Sequence, residues 1–535
     1  MQKLQLESNK QIFIILSIII VSSIFLKLYT IDFSLHEIQD TWVYVLRGIA
    51  HSAGDYAESP IKPSGYPLFL SLFFNFLDSE NFIDYLNVTR VLAIVISSIS
   101  IIPLYFLGNH FFDRKFSLLL PLFFAFQPQL NFNAGQGLSE PYFLLILIFS
   151  LYFILNKNSN FSPYVSFILV GLLFWVRFTG ILFIFPFIIT HFLIYRDVKK
   201  LFLCCLVFLL VISPILVLRD DQYGSPLYFS GVSDERDYEY LPEGFRIDYF
   251  KTSFSHLFVA LTTMSLPYLL ILAPLGIILI KKIPYNRKNF YYNLIFIIFT
   301  LFPIIIQYHE GTSARPLYHL YPFFMIFAIV PIKIIYENKI NFLQYLRNKN
   351  SLIIFVLLII VSSGLVTLGI DDYGYGKRDK IEINEIHDYV NYLFTLNGDI
   401  FWSKGVSISW ISVTMIDESN GEFRDYKLDP EIGMKVYLPE SLENIYPINL
   451  NIHYRTNAKS IDDFFIYLEK SNINYLSIGE KNELQYLDKI YENEQNFPSL
   501  KKIFDSKRDG FEKFNVKLFE IDHGIIQKIY IETGS

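Results

Sequence analysis

Residues 12–28, IFIILSIIIVSSIFLKL, decide the class of this protein. A spanning helix needs about 20 mostly apolar residues. The run follows a short N-terminus carrying Lys3 and Lys10. A secretory signal would have a shorter apolar core and a small-residue cleavage site. The segment therefore reads as an uncleaved membrane anchor.

Runs of the same kind recur downstream. Spans are expected near 11–29, 86–108, 117–133, 141–156, 163–176, 179–195, 200–218, 256–280, 290–307, 316–335 and 351–370, about eleven by length and composition. Pro67–Leu77 is apolar but short, and reads as a re-entrant or interfacial helix. Of the 535 residues 52% are hydrophobic, against roughly 45–50% in a soluble domain. The excess lies before residue 371. With a net charge of −6 and a pI near 6.0, the chain offers nothing to a nucleic acid. Cys204 and Cys205 are adjacent inside an apolar run, which speaks against a disulfide framework or a cysteine zinc site.

Lysine and arginine in the short loops set the orientation. With the N-terminus in the cytoplasm, Arg114, Lys115, Lys157, Arg196, Lys199, Lys200, Lys281, Lys282, Arg287, Lys288, Lys333, Lys339, Arg347 and Lys349 all fall on the cytoplasmic side. The acidic 30–85 loop, the 134–140 turn, the 219–255 loop and the 308–315 turn then lie outside. So does the tail, 371–535. Strand-like stretches at Gly405–Ser412, Ile473–Ile478 and Val516–Ile521 alternate there with helical ones at Ile381–Phe394, Ile461–Ser471 and Asn482–Asn493. That alternation predicts an extracytoplasmic α/β domain. The expected division is a membrane domain over 1–370 and a soluble domain over 371–535. No internal repeat is visible, which weakens a transporter reading.

Polar residues collect on the outer side. In LHEIQDTWVYVLRG (35–48), a helix from Asp40 to Ala53 would put Asp40, Tyr44, Arg47 and His51 on one face. Trp42, Val45, Leu46 and Ile49 supply an apolar side, as in a helix lying flat on the membrane. That face is either simply solvated, or it presents Glu37 or Asp40 as a carboxylate placed to take a proton. In KPSGYPLFL (62–70) the Pro/Gly punctuation turns the chain toward the bilayer, and Lys62 can pair with an anionic headgroup. Glu140 stands just before Pro141 at a helix start, where the helix dipole accounts for it. It also faces the same side as Asp40. Arg177 is the only charge between Val165 and Ile189, and intramembrane charge is costly. Thr179 and Gly180 beside it allow a break between two short helices. Snorkelling is its bland reading; gripping a phosphate is the sharper one. YHEGTSARPLYHLYPFF (308–324) gathers His309, Glu310, Arg315, Tyr318 and His319 at an outer span start. His309 with Glu310 is a weak metal signal. Arg315, and Arg219 in LRDDQYGSPLY, are further phosphate-grip candidates. No P-loop, dinucleotide glycine pattern, GxSxG or HExxH occurs.

In their order, DTWVYVLRGIAHSAG, KPSGYPLFLSLFF, LSEPYFLLILIFSLYFIL, RFTGILFIFPFII, YGSPLYFS and ARPLYHLYPFF resemble the integral-membrane GT-C glycosyltransferases. The nearest group is the protein O-mannosyltransferase and aminoarabinose-transferase superfamily, over roughly residues 10–335. The resemblance implies transfer of a sugar from a polyprenyl-phosphate carrier to a protein, lipid or glycan acceptor on the outer side of the plasma membrane. It assigns the acidic role of the first loop to Asp40, with Glu37 beside it, and carrier-phosphate contacts to Arg177 and Arg315, more loosely to Arg219. Where many relatives have Asp-Glu this chain has His36-Glu37, and where many have Arg-Tyr it has Arg315-Pro316. No cofactor is expected, and a divalent metal has no support in the sequence. The rival readings are a transporter or flippase of lipid-linked glycans and a non-catalytic scaffold.

Overall fold

The computed structural model describes the chain except residues 1–8, 30, 35–39, 55, 57–61, 78, 80–81, 227–246, 284–285, 306–314, 338–348, 369–379, 403–426, 429–435, 438–449, 454–457, 459, 481–484 and 532–535. It opens with α1 (Asn9–Tyr29), then two short helices, α2 (Asp40–Ser52) and α3 (Gly65–Phe74). Next come α4 (Phe82–Ile99) and its continuation α5 (Ile101–Gly108), and the eight-residue pair α6 (Leu119–Phe126) and α7 (Pro128–Gly135). The bundle goes on through α8 (Glu140–Leu155), α9 (Ser162–Val176), α10 (Ile184–Tyr195) and α11 (Val198–Tyr223). It is completed by α12 (Ile247–Ser265), α13 (Leu269–Leu279), α14 (Arg287–Ile304), α15 (Tyr321–Tyr336) and α16 (Lys349–Leu368).

Among the described residues six helical segments are long and apolar enough to cross a membrane, or seven if the pair α12 and α13, bent by 99°, is one span. The sequence suggested eleven, and the difference has local causes. The stretch 117–133 is broken at Gln127, because Pro128 cannot continue a helical hydrogen-bond ladder. Helices α8 and α9, with 16 and 15 residues, reach only about 24 Å at 1.5 Å per residue, short of the roughly 30 Å hydrocarbon core. Outward-facing side chains such as Phe13, Phe25, Leu210, Leu358 and Leu365 are exposed, as lipid-facing residues are.

The first loop departs from expectation. Helix α2 does not lie flat with a polar face to water: every residue from Thr41 to His51 is buried. It packs on α3 so closely that a Cβ on Gly48 would come 2.7 Å from the Phe74 ring. Gly65, which opens α3, is tighter still, since a Cβ there would meet the Trp175 carbonyl oxygen at 2.4 Å. These contacts draw the loop down onto the end of α9.

After the bundle, α17 (Lys380–Phe394) leads to β1 (Gly398–Trp402), β2 (Leu450–His453), α18 (Ile461–Lys470), β3 (Tyr475–Gly479), α19 (Gln485–Glu492), β4 (Leu500–Asp505) and β5 (Val516–Ile521). The strands form one sheet in the order β2-β1-β3-β5-β4. Strand β1 runs parallel to β2 and β3, while β5 is antiparallel to β3 and β4. One face is covered by Ile386, Tyr389 and Leu393 of α17, the other by Phe464, Phe465 and Leu468 of α18. The expected strand at Gly405–Ser412 and the 370/371 boundary fall at or within stretches outside the described residues.

Candidate active site

Five charged side chains meet at one end of the bundle. Asp40 begins α2, Lys62 precedes α3, Glu140 begins α8, Arg177 ends α9, and Arg315 opens the 3-10 turn Arg315–Leu320 that runs into α15. Asp40 pairs with Lys62 and, at 2.5 Å, with Nη1 of Arg315. Glu140 accepts from Nε of Arg315, and from Nη1 of Arg177 at 2.7 Å. Arg315 thus bridges the two carboxylates.

Local backbone explains each position. Arg177 leaves the helix in an extended conformation (φ −149°, ψ 134°), and the 3-10 turn Phe178–Phe183 follows. Gly180 permits that turn, because a Cβ would lie 2.3 Å from the Leu173 carbonyl carbon. The break expected beside Arg177 is therefore present. Glu140 is set by the link after α7: Thr41 Oγ1 donates to the Gln136 carbonyl at 2.7 Å and the Tyr66 hydroxyl to the Gly137 carbonyl at 3.0 Å. Gly137 takes a positive φ of 74° there, open to glycine without steric cost. Arg47, buried, reaches the Lys62 carbonyl and Ser64 Oγ, and so fixes the segment that carries the Lys62 ammonium. Tyr44 receives a hydrogen bond from Ser139 Oγ at 3.1 Å, and Lys62 Nζ stands 5.3 Å over its ring.

The cluster is closed on one side and open on the other. Glu140 is 2% exposed, against 27% for Arg177 and 34% for Asp40. A molecule arriving from outside therefore meets Asp40 and Arg177 first. Burial by itself would raise the Asp40 pKa, but Lys62 and Arg315 outweigh it and hold the carboxyl well below its ordinary range. Burial draws the Lys62 ammonium below its usual value, with Asp40 pulling the other way. The Tyr44 phenol is pushed up to about 12 by burial and then by Asp40. Over the neutral range Asp40 is thus an ionised acceptor and Tyr44 a protonated phenol.

Other expected residues make contacts of their own. Arg219 is buried with its guanidinium carbon 4.4 Å from the centre of the Phe178 ring, so it backs the turn after Arg177 instead of joining the described ion pairs. The Tyr318 hydroxyl is directed to the Leu130 carbonyl at 3.4 Å. His51 stacks on Tyr56. Glu37, His309 and Glu310 lie outside the described residues. Among the described residues no three His, Cys, Asp or Glu side chains gather as a metal-binding set. Sequence reasoning passed over Ser64, Thr41 and Ser139, which orient the charged groups, because single hydroxyls carry no spacing signal.

Residues 62–218 match the family model of dolichyl-phosphate-mannose-protein mannosyltransferases. No curated protein matches the chain by sequence. The structure is similar to the Archaeoglobus fulgidus oligosaccharyltransferase in complex with zinc and sulfate, with TM-score 0.56 and 14% identity over 87% of this chain and 68% of that one. The oligosaccharyltransferase AglB from Archaeoglobus fulgidus with an inhibitory peptide and a dolichol-phosphate gives 0.52 and 13%, over 88% and 69%. ArnT from Cupriavidus metallidurans bound to undecaprenyl phosphate gives 0.53 and 10%, over 96% and 98%. A multi-pass membrane protein, the chain thus matches a mannosyltransferase family model over residues 62–218 and shares the fold of the archaeal oligosaccharyltransferase and of ArnT.

Proposed function

We propose that the protein transfers a glycosyl group from a polyprenyl-phosphate-linked donor to an acceptor nucleophile, and that Asp40, Lys62, Arg177 and Arg315 carry the reaction. The observation behind this reading is the bridge that Arg315 makes between Asp40 and Glu140, at a helix-end site beside the membrane. Three cations, Lys62, Arg177 and Arg315, gather with Asp40 and Glu140, a set able to receive the negative charge of a sugar phosphodiester.

In the proposed step the acceptor nucleophile attacks the anomeric carbon and its proton passes to Asp40. The bond between that carbon and the phosphate oxygen breaks, and its electron pair leaves with the phosphate. The configuration inverts. The leaving phosphate gains a negative charge while Asp40 loses one, so the cluster's charge is unchanged across the step. The cations act as preorganised electrostatic stabilisers of the leaving group. Glu140, deeply buried, holds both guanidiniums in place. No step is routed through a metal. Glu37, beside Asp40 in sequence, is the alternative base.

Each cation in the cluster already faces a carboxylate, so the phosphate must exchange places with one. Arg315 serves Asp40 and Glu140 at once, and turning it toward the phosphate would free Asp40 to accept a proton. The active face is proposed to lie outside the cell, the N-terminus inside. Arg114, Lys115, Arg196, Lys200 and Arg287 stand at helix ends and links away from the site, which supports that orientation. The test is transfer of labelled sugar from defined polyprenyl-phosphate donors in proteoliposomes. A fall of about 10²-fold or more in Asp40→Asn is expected; full activity in both Asp40→Asn and Glu37→Gln would refute the base assignment.

A further inference from the structure

His319 takes no part in the step just described, yet it stands beside the groups that do. It lies on the same 3-10 turn as Arg315. Its ring meets Phe183 edge-on, at 5.4 Å and 89°, and Phe183 closes the turn that follows Arg177. The imidazole is thus wedged between the two segments that carry the arginines, within electrostatic reach of Arg177. The residue is 6% exposed, and its Nε2 is buried with no hydrogen-bond partner among the described residues. Buried polar atoms in folded proteins are nearly always partnered.

The missing partner has a definable chemistry. A neutral imidazole that donates from one nitrogen offers a lone pair at the other. That lone pair repels a phosphate oxygen, whereas a protonated ring would set another cation beside Arg177. A hydroxyl group, which donates, is the complement. The phosphate held by Arg177 and Arg315 is one bond from the sugar, and hydroxyls crowd the sugar ring. We propose that His319 Nε2 accepts a hydrogen bond from a hydroxyl of the donor's sugar, making it a specificity residue for the sugar and not for the lipid phosphate. This rests on the glycosyl-transfer reading above.

The test compares binding of a short-chain polyprenyl phosphate with the same lipid carrying each of a panel of hexoses and pentoses. Wild type and His319→Phe, which keeps an aromatic ring against Phe183, are measured in detergent. Wild type should favour at least one sugar-bearing lipid. In His319→Phe that preference should fall about tenfold, the size of one hydrogen bond, with binding of the bare lipid phosphate unchanged. Removing one ring hydroxyl from the preferred sugar should reproduce the loss in wild type and have no further effect in the variant. Equal weakening of bare and sugar-bearing lipids, no weakening of either, or no sugar preference in wild type would overturn the assignment of His319. Failure of wild type to bind any of these lipids would instead overturn the glycosyl-transfer reading itself.

Discussion

Arg315 Nη1 stands 2.5 Å from Asp40 Oδ2 while its Nε serves Glu140, so one guanidinium holds two carboxylates from different helices. Removing Asp40's charge should separate binding from chemistry. Asp40→Asn is expected to lower the transfer rate by about 10²-fold or more, the range for loss of a positioned base. Binding of polyprenyl phosphate should hold or tighten, since Arg315 and Lys62 lose a competing anion. Single-turnover transfer and lipid binding on the same preparation check both halves.

The depressed Asp40 pKa fixes the pH behaviour. Its folded-state value lies below the unfolded one, so its contribution to stability is present above about pH 4 and is lost as pH falls through the lower folded value. The acid limb of kcat/KM in the free enzyme should accordingly lie below about pH 4, the ordinary aspartate value. Lys62→Met removes a cation that holds Asp40 down and should move that limb upward. An unmoved limb would show that another group sets it.

Glu140 is the counter-ion of two guanidiniums and is nearly inaccessible. Glu140→Gln should leave those charges uncompensated and destabilise the protein by about 3 kcal/mol, the lower end for breaking a buried pair. Thermal unfolding in detergent reads this directly. The loss should appear with or without lipid donor present.

Arg47 acts on the site through Lys62. Arg47→Met removes the donor to the Lys62 carbonyl and to Ser64. KM for the donor should rise several-fold, with a smaller fall in kcat. Arg47→Lys should restore part of the KM, because an ammonium can still reach one of the two acceptors. A change in stability without a change in KM would reduce Arg47 to a packing role.

Two glycine substitutions separate crowding from propensity. Gly65→Ala would press a methyl onto the Trp175 backbone and should cost about 1–3 kcal/mol. Gly364→Ala, in α16 with nothing within 4 Å, should be neutral or stabilising by up to about 1 kcal/mol. Parallel melting curves of the two variants decide the matter.

The charged site was partly legible in the sequence because charge beside an apolar run is expensive and therefore conspicuous. Arg177 stood out on that ground, Asp40 by helical spacing, Glu140 and Arg315 by their place at helix starts, Lys62 as a cation beside Pro/Gly punctuation, and the Thr179-Gly180 break was readable from residue type. The placement of α2 was not. Helical spacing puts Asp40, Tyr44, Arg47 and His51 on one face, but spacing cannot say what covers a face; here α3 and the link before α8 cover it. Arg219 stood out by the same rule as Arg177, yet it stacks on Phe178, since an arginine at a helix end has more than one way to satisfy itself. The number of membrane-length helices was obscured by interruptions. Prolines at 128 and 267 divide apolar stretches that hydropathy reads as continuous.

The broken helices share one set of hydrogen bonds. The Gln127 amide, at the end of α6, donates to the Met264 and Leu266 carbonyls at the elbow between α12 and α13, at 3.1 and 3.0 Å, and the Tyr321 hydroxyl also reaches Met264. Within a bilayer a freed carbonyl has no water to turn to. Gln127, more than 130 positions earlier in the chain, supplies part of what the elbow lacks. The two interruptions are thereby tied together, so that a change at Gln127 bears on the bend between α12 and α13 and not on its own helix alone.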